Sequence, residues 1–375
     1  MNRVYGLEGM RGYLAIWVWV THVTTMATLA FGKYHGWGWM LANGDTAVGV
    51  FIVISGFVIS SNLDLSSENY GQYLVRRAFR LFPVYLVCLF VSVLILDYSI
   101  EVMQNMPWDG LRTDDRILYL TESKKNFWTH LGLHLFLLHG LVPDALLKST
   151  SYAFIGQAWS LTLEWQFYLV APVLFMLAKR IKLGLSFIVI TLGMLIALAN
   201  FSTQGSFLLS KLYLFFIGHA SYRIYKEVSH GRMSKGEAIL FFGVLALMSL
   251  VRWRQGLGAL GWSIIFVALY FIDGPIHRFV KWFFTNRFAE WLGRMSYSFY
   301  CVHMIVLFMG AKLLIDGMGV QSRPLYATLL ICGTLPAALL AAWALNKFVE
   351  NPMIATGKKI SKKKFLSVHK QSAPA

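Results

Sequence analysis

Leu7-Glu8-Gly9-Met10-Arg11-Gly12 runs straight into the apolar stretch YLAIWVWVTHVTTMATLAF, residues 13–31. A run of nearly 20 apolar residues is what an α-helix needs to cross a bilayer. This one carries Arg11 and His22 with it. They are eleven residues apart, which in an α-helix is roughly 20° of rotation and roughly 16 Å of rise. Both side chains therefore leave one face, three turns apart. An ionisable group in the bilayer costs at least about 2.5 kcal/mol on insertion scales, so such groups face a protein interior or a wet cavity. The segment reads as a cavity with a cationic entrance and an imidazole further in. A plainer reading of His22 is a hydrogen-bonded packing residue, and Glu8, three residues before Arg11, could form a helix-end ion pair with it.

The rest of the chain repeats the pattern. Of 375 residues 57% are hydrophobic and 14% charged, against about 25% charged in soluble domains. Apolar spans fall at 12–31, 46–63, 78–97, 159–178, 183–200, 206–225, 237–252, 257–273, 295–315 and 325–349, with no polar block large enough to fold separately. The expected fold class is all-α: a polytopic membrane bundle of about ten transmembrane helices. A further apolar piece, 131–142, is interrupted by His134, His139 and Gly140 and is expected to be re-entrant or peripheral. The division is one transmembrane domain over 1–352 and a basic tail over 353–375. Glu8 and the lack of an A-x-A site argue against a cleaved signal peptide.

Ten spans put both termini on one side. Taken as cytoplasmic, that side collects roughly twice as many Lys and Arg residues as the other, the bias expected of cytoplasmic loops. Topology thus accounts for the net charge of +16, and the scattered basic residues present no patch for nucleic acid. The long external loop, 98–158, is rich in acidic residues and is expected to pack over the outer mouth. Lys358 to Lys370 reads as a solvated basic tail near anionic lipid. Cys88, Cys301 and Cys332 lie far apart within apolar segments and read as packing thiols.

Four other stretches carry candidate chemistry. In VFIVISGFVIS, residues 50–60, Ser55-Gly56 permits close backbone approach, and without a G-x-S-x-G elbow Ser55 is weak as a nucleophile. Arg76-Arg77-Ala78-Phe79-Arg80 opens the third span; Arg77 and Arg80, one turn apart, could converge on one phosphate, and positive-inside anchoring explains them equally well. In AWSLTLEWQFYLVAP, residues 158–172, Ser160, Glu164 and Tyr168 recur at i, i+4, i+8, beside Trp159; a carboxylate inside an apolar span needs a partner or a functional cavity. In MSYSFYCVH, residues 295–303, Ser296, Tyr300 and His303 share a face, with Tyr297 adjacent; interhelical hydrogen bonds would suffice for them. His130 and His134 are spaced like metal ligands but lack an acidic companion, and no metal site is expected.

Together these stretches resemble the acyltransferase-3 family of integral membrane acyltransferases, over about residues 5–352. Arg11 and His22 fit its R-x10-H signature and Arg77-x-x-Arg80 its basic motif. SGF at 55–57, WSLTLEWQFY at 159–168 and SYSFYCVH at 296–303 follow in order, and Glu350-Asn351-Pro352 resembles the family's close. Glu8 and Met10 stand where Asp and Leu are commoner. The resemblance implies transfer of an acyl group, commonly acetyl from acetyl-CoA, to a hydroxyl of a cell-surface or exported glycan, a lipid-linked oligosaccharide or a small glycosylated acceptor. No permanently bound cofactor is implied. On that reading His22, Arg11 and Glu164 are catalytic, with Glu164 orienting His22 or contacting the sugar. Arg77, Arg80 and Arg76 bind the donor, and Glu8, Ser55, Trp159, Ser160, Tyr168, Ser296, Tyr297 and His303 support the site. Some members carry an extra hydrolase-like domain, and with only a short tail here the bundle or another protein would complete the transfer. A bacterial cytoplasmic membrane with both termini inside is the expected location. The competing reading is a glycan or anion transporter that uses the same intramembrane charges without making bonds.

Overall fold

The computed structural model describes residues 4–27, 29, 42–108, 110, 112–181, 183–202 and 204–371, with backbone alone at 253–255 and 363–371. The far end of the first apolar stretch, 28 and 30–31, lies outside them. Among the described residues the chain is helical throughout, without a strand. The helices α1 (Leu7–Met26), α2 (Gly44–Leu65) and α3 (Tyr70–Leu94) come first. Then α4 (Leu96–Gln104), α5 (Thr113–Lys125), α6 (Phe127–Leu135) and three 3₁₀ turns form a cap. The bundle resumes with α7 (Trp159–Lys179), α8 (Leu185–Asn200), α9 (Leu212–Ser229), α10 (Lys235–Ser249) and α11 (Trp253–Tyr270). Two short helices, α12 (Pro275–Thr285) and α13 (Arg287–Arg294), lead to α14 (Ser296–Lys312), α15 (Arg323–Leu345) and α16 (Asn351–Gln371).

A helix stands at each of the ten hydropathy peaks, yet five segments are long and apolar enough to cross a membrane: 44–65, 70–94, 156–179, 296–317 and 323–362. A broken pair, 256–270 with 275–285, makes a sixth if counted as one span. Length explains part of the shortfall. With 16 and 15 residues, α8 and α10 rise roughly 24 and 22 Å, short of a hydrocarbon core of about 30 Å. Among the described residues, length and composition thus support an integral membrane protein with five to six such helices, and do not by themselves show the ten expected.

The expected span at 257–273 is corrected at its end. Its helix stops at Tyr270 and the chain turns by 109° through Gly274, in the left-handed region at φ 106°. Pro275 then opens α12, where a proline without an N–H is tolerated. The last span does not stop at 349 either, because a π-helical turn over Asn346–Glu350 carries α15 into α16. The basic tail is thus helical to Gln371, with Lys358, Lys359 and Lys362 exposed on it. Cys88 and Cys301 are buried as expected, whereas Cys332 is exposed.

Lipid tails are as apolar as leucine, so helices in a bilayer associate through close packing. Two crossings show it. A Cβ on Gly56 of α2 would lie 2.3 Å from the Phe215 carbonyl of α9, and one on Gly218 would lie 2.1 Å from that of Val53. Where α1 meets α13, a Cβ on Gly293 would lie 2.0 Å from the Glu8 carbonyl. These contacts hold the start of α1 and the middle of α2 in fixed register around the site. At the opposite end the cap is tied down by Arg116, which donates to Thr25 Oγ1 at 2.7 Å. Gln157 donates to the Cys301 carbonyl at 3.0 Å, and the Tyr85 hydroxyl donates to the His134 carbonyl at 2.9 Å.

Candidate active site: an arginine-lined cavity below two histidines

Asn69 begins the assembly. Its side chain accepts from the Gln72 N–H at 2.9 Å while the Gln72 side chain accepts from the Asn69 N–H at 3.0 Å. This capping box fixes where α3 starts, and so puts Arg76, Arg77 and Arg80 on its second and third turns. On α7 the four-residue spacing of Ser160, Glu164 and Tyr168 lays them along one face. Arg11 projects from the first turns of α1. These elements converge on a cavity of about 540 Å³.

Most of the expected site residues line it: Glu8 and Arg11 of α1, Ser55 of α2, the three arginines of α3, and Ser160, Glu164 and Tyr168 of α7. Ser296 and Tyr297 of α14 complete that set. Glu164 accepts hydrogen bonds from Ser55 Oγ at 3.3 Å and from the Tyr168 hydroxyl. It lines the same cavity as the arginines. Arg77 is buried, its guanidinium 5.4 Å from the centre of the Tyr73 ring and 5.7 Å from that of Tyr168, a cation–π sandwich. Its Nε has no hydrogen-bond partner among the described residues. Arg76 pairs with Glu68, and the Tyr297 hydroxyl donates to the Leu81 carbonyl. Four arginines against two lining carboxylates, over an apolar floor of Phe51, Ile52 and Phe215, suit an anion with an apolar arm.

His22 and His303 are not on that wall. Their rings face each other at 5.3 Å between centroids, one helix from α1 and one from α14. His303 is fully buried, its Nδ1 3.2 Å from the Phe299 carbonyl and its Nε2 without a partner among the described residues. Tyr300, one turn before His303 on α14, links the two regions. It lines the cavity, hydrogen-bonds Ser160 at 2.7 Å and donates to the Gln157 carbonyl at 2.9 Å; its ring lies 5.9 Å from that of His303. Trp159 also lies off the wall, with Lys211 Nζ 6.0 Å from its ring centre.

Three contributors were not singled out by the sequence reading. Lys358 and Ile354 of α16 line the cavity although they sit in the supposed tail. Arg116 of the cap is 2% exposed, has one nitrogen unpartnered among the described residues, and contacts Thr25, one turn beyond His22. A buried arginine in a loop otherwise rich in acids was the available signal for the last.

Comparison with known proteins gives a consistent result. Residues 4–343 match a family described as an acyltransferase domain. A Staphylococcus aureus (strain COL) protein, SACOL0978, whose name proposes an O-acetyltransferase, is 23% identical over 392 residues, covering 95% of this chain and 58% of its own length. The acyltransferase MdmB of Streptomyces mycarofaciens is 24% identical over 185 residues, covering 48% of this chain and 41% of its own. The chain thus spans less than two thirds of either relative. No solved structure matches.

Proposed function

The chain belongs to the acyltransferase-3 family of membrane acyltransferases, which its residues 4–343 match, and from that premise we propose that it transfers an acetyl group from cytosolic acetyl-CoA to a hydroxyl of a cell-surface or exported glycan. The observation that carries the reading is the convergence of Arg11, Arg76, Arg77 and Arg80 on one cavity with an apolar floor. Phosphates would meet the arginines, where bidentate guanidinium contacts suit them, while the pantetheine arm and thioester lie against Phe51, Ile52 and Phe215. This reading assigns the arginine end of the bundle to the cytosol, in keeping with the excess of positive residues expected there, and takes the membrane to be a bacterial cytoplasmic one with both termini on that side.

In this reading the acceptor oxygen attacks the thioester carbonyl as His22 takes its proton. The C–S bond breaks, and the proton passes from the imidazole to the departing CoA thiolate. An acyl-histidine would split the same transfer into two steps. Arg11, three turns from His22 at the cavity end of α1, is too far from the reacting carbonyl to face its charge and instead helps hold the donor's phosphates. Tyr300, which lines the cavity and lies 5.9 Å from His303, marks the route by which the acyl end would approach the imidazoles.

Purified protein in lipid vesicles, given labelled acetyl-CoA and a panel of glycans, should release CoA and form an ester only when both substrates are present. Glycan movement across the vesicle without CoA release would favour the transporter instead. Comparing surface glycans of a deletion strain and its complement by NMR would identify the acceptor through its O-acetyl resonance.

A further inference from the structure

The residues that follow the family match form α16, and two of them reach the site. Ile354 and Lys358, one turn apart, line the same cavity as Arg76, Arg77 and Arg80. Their position is set by contacts on both sides of Lys358. A Cβ on Gly357 would lie 2.5 Å from Phe79 Cβ, so only glycine lets α16 lie this close to α3. One turn on, Gln72 donates to the Ser361 carbonyl at 3.1 Å, using the side chain that also caps α3. Lys358 is therefore registered against the helix that carries the arginines. Of the tail lysines with described side chains, 358, 359 and 362, it alone lines the cavity.

Charge separates Lys358 from its neighbours. Arg76 is tied to Glu68 and Arg77 lies buried between two tyrosine rings. Lys358 is exposed at the cavity mouth, and among the described residues no carboxylate pairs with it.

We infer that Lys358 selects the donor: its ammonium pairs with the 3′-phosphate of an acyl-CoA whose thioester end points into the cavity. The inference rests on acyl-CoA being the donor. With the thioester inward, the nucleotide end lies outermost, at the level of Lys358. Its 3′-phosphomonoester carries a charge near −2 at neutral pH, the strongest single anion on the molecule, and a lysine meets such a group as a point charge without demanding a fixed angle. The site then extends beyond the matched domain into a helix that composition alone would assign to solvent.

Titration calorimetry on the full chain in nanodiscs, with acetyl-CoA, 3′-dephospho-acetyl-CoA and acetyl-pantetheine, tests it. The unaltered protein should bind acetyl-CoA about 10-fold tighter than the dephospho donor. Lys358→Ala should erase that preference by weakening acetyl-CoA alone, and Lys358→Arg should keep most of it. Gly357→Leu, which pushes α16 off Phe79, should give the same loss, and adding Lys358→Ala to it should change nothing more. A preference that survives Lys358→Ala, or an equal loss for both nucleotide donors, overturns the inference while leaving the donor reading intact. If the unaltered protein binds acetyl-CoA no better than acetyl-pantetheine, the donor reading itself fails.

Discussion

The two ends of α1 are built differently. Around Arg11 the protein is open: side chains of seven helices line a cavity of about 540 Å³, and charge is left facing it. Around His22, itself half-buried, it is more closed. The imidazole meets His303, the Tyr300 ring lies 5.9 Å from that of His303, and the cap is pinned one turn beyond by Arg116 on Thr25. Two residues that share a helix face therefore sit in a preformed anion cradle and in a packed, partly unsatisfied interior. The cradle is suited to hold a ligand without rearrangement, which limits the ordering cost of binding. The histidine end has to be reached, so the chemistry is expected to depend on side-chain movement and the binding is not.

The largest effect should come from the closed end. His22→Ala is expected to lower transfer by about 10²- to 10⁴-fold, the usual worth of general-base help, with donor affinity unchanged within error. Single-turnover rates beside calorimetric donor binding would show the split. Loss of donor affinity to match would mean the two ends are one site. At the open end the pattern should reverse. Arg77→Ala removes a buried guanidinium that charge-assisted hydrogen bonds would use, worth roughly 1.5 to 3 kcal/mol, so acetyl-CoA should bind roughly 10- to 100-fold more weakly. Arg77→Lys should recover part of the charge but not the stacking on Tyr73 and Tyr168. Turnover at saturating donor should stay close to that of the unaltered protein, and a kcat that fell with the affinity would erase the distinction between the ends.

How far the sequence foretold this depends on whether a residue's neighbours are local. Ser160, Glu164 and Tyr168 announce themselves by their four-residue period within an apolar helix, and all three line the cavity. Arg77 and Arg80 do so by standing where an apolar span begins. Ser55 joins them through a bond to Glu164, 109 residues away, which no pattern on α2 could disclose. Helical azimuth put His22 on the face of Arg11, but the ring it meets, His303, belongs to α14. Of the two bonds Glu164 accepts, only the one from Tyr168 lies within its own helix. Lys358 was hidden by composition: a lysine-rich segment after Pro352 reads as solvated, and its docking depends on one missing side chain, that of Gly357 against Phe79. The break before Pro275 was in plain view as Asp273-Gly274-Pro275, and the expected span ended there, three residues beyond the last helical residue, Tyr270.

The smallest effect should come from the cap that closes the histidine end, and it should appear in stability. Outside the spanning helices, His134 and His139 stack with ring centroids 3.9 Å apart and planes 5° from parallel. The Tyr85 hydroxyl lies 3.2 Å from His134 Nδ1, and the Thr150 carbonyl lies 3.1 Å from its Nε2. The Ala158 carbonyl lies 3.2 Å from His139 Nε2. Burial pushes the His139 imidazole down to about 4. It pushes His134 well below its usual value as well, with further lowering from the His139 charge. The nearby carboxylates, Glu122 and Asp144, act on His130 instead. An unfolded histidine takes up its proton near pH 6.5. Below that pH the unfolded chain binds protons that the folded cap refuses, so the stabilisation is complete above about pH 6.5 and is lost progressively as pH falls toward 4. Melting followed from pH 7.5 to 5 should show a fall of a few degrees. His139→Gln, whose amide can still donate to the Ala158 carbonyl, should flatten that slope. It should leave acetyl-CoA affinity untouched, because the cradle at the other end of α1 does not share the cap's packing. A slope that persists in His139→Gln and vanishes in a His22 variant would place the acid-sensitive group beside His303, and would make the closed end, not its cap, the part of the molecule that responds to protons.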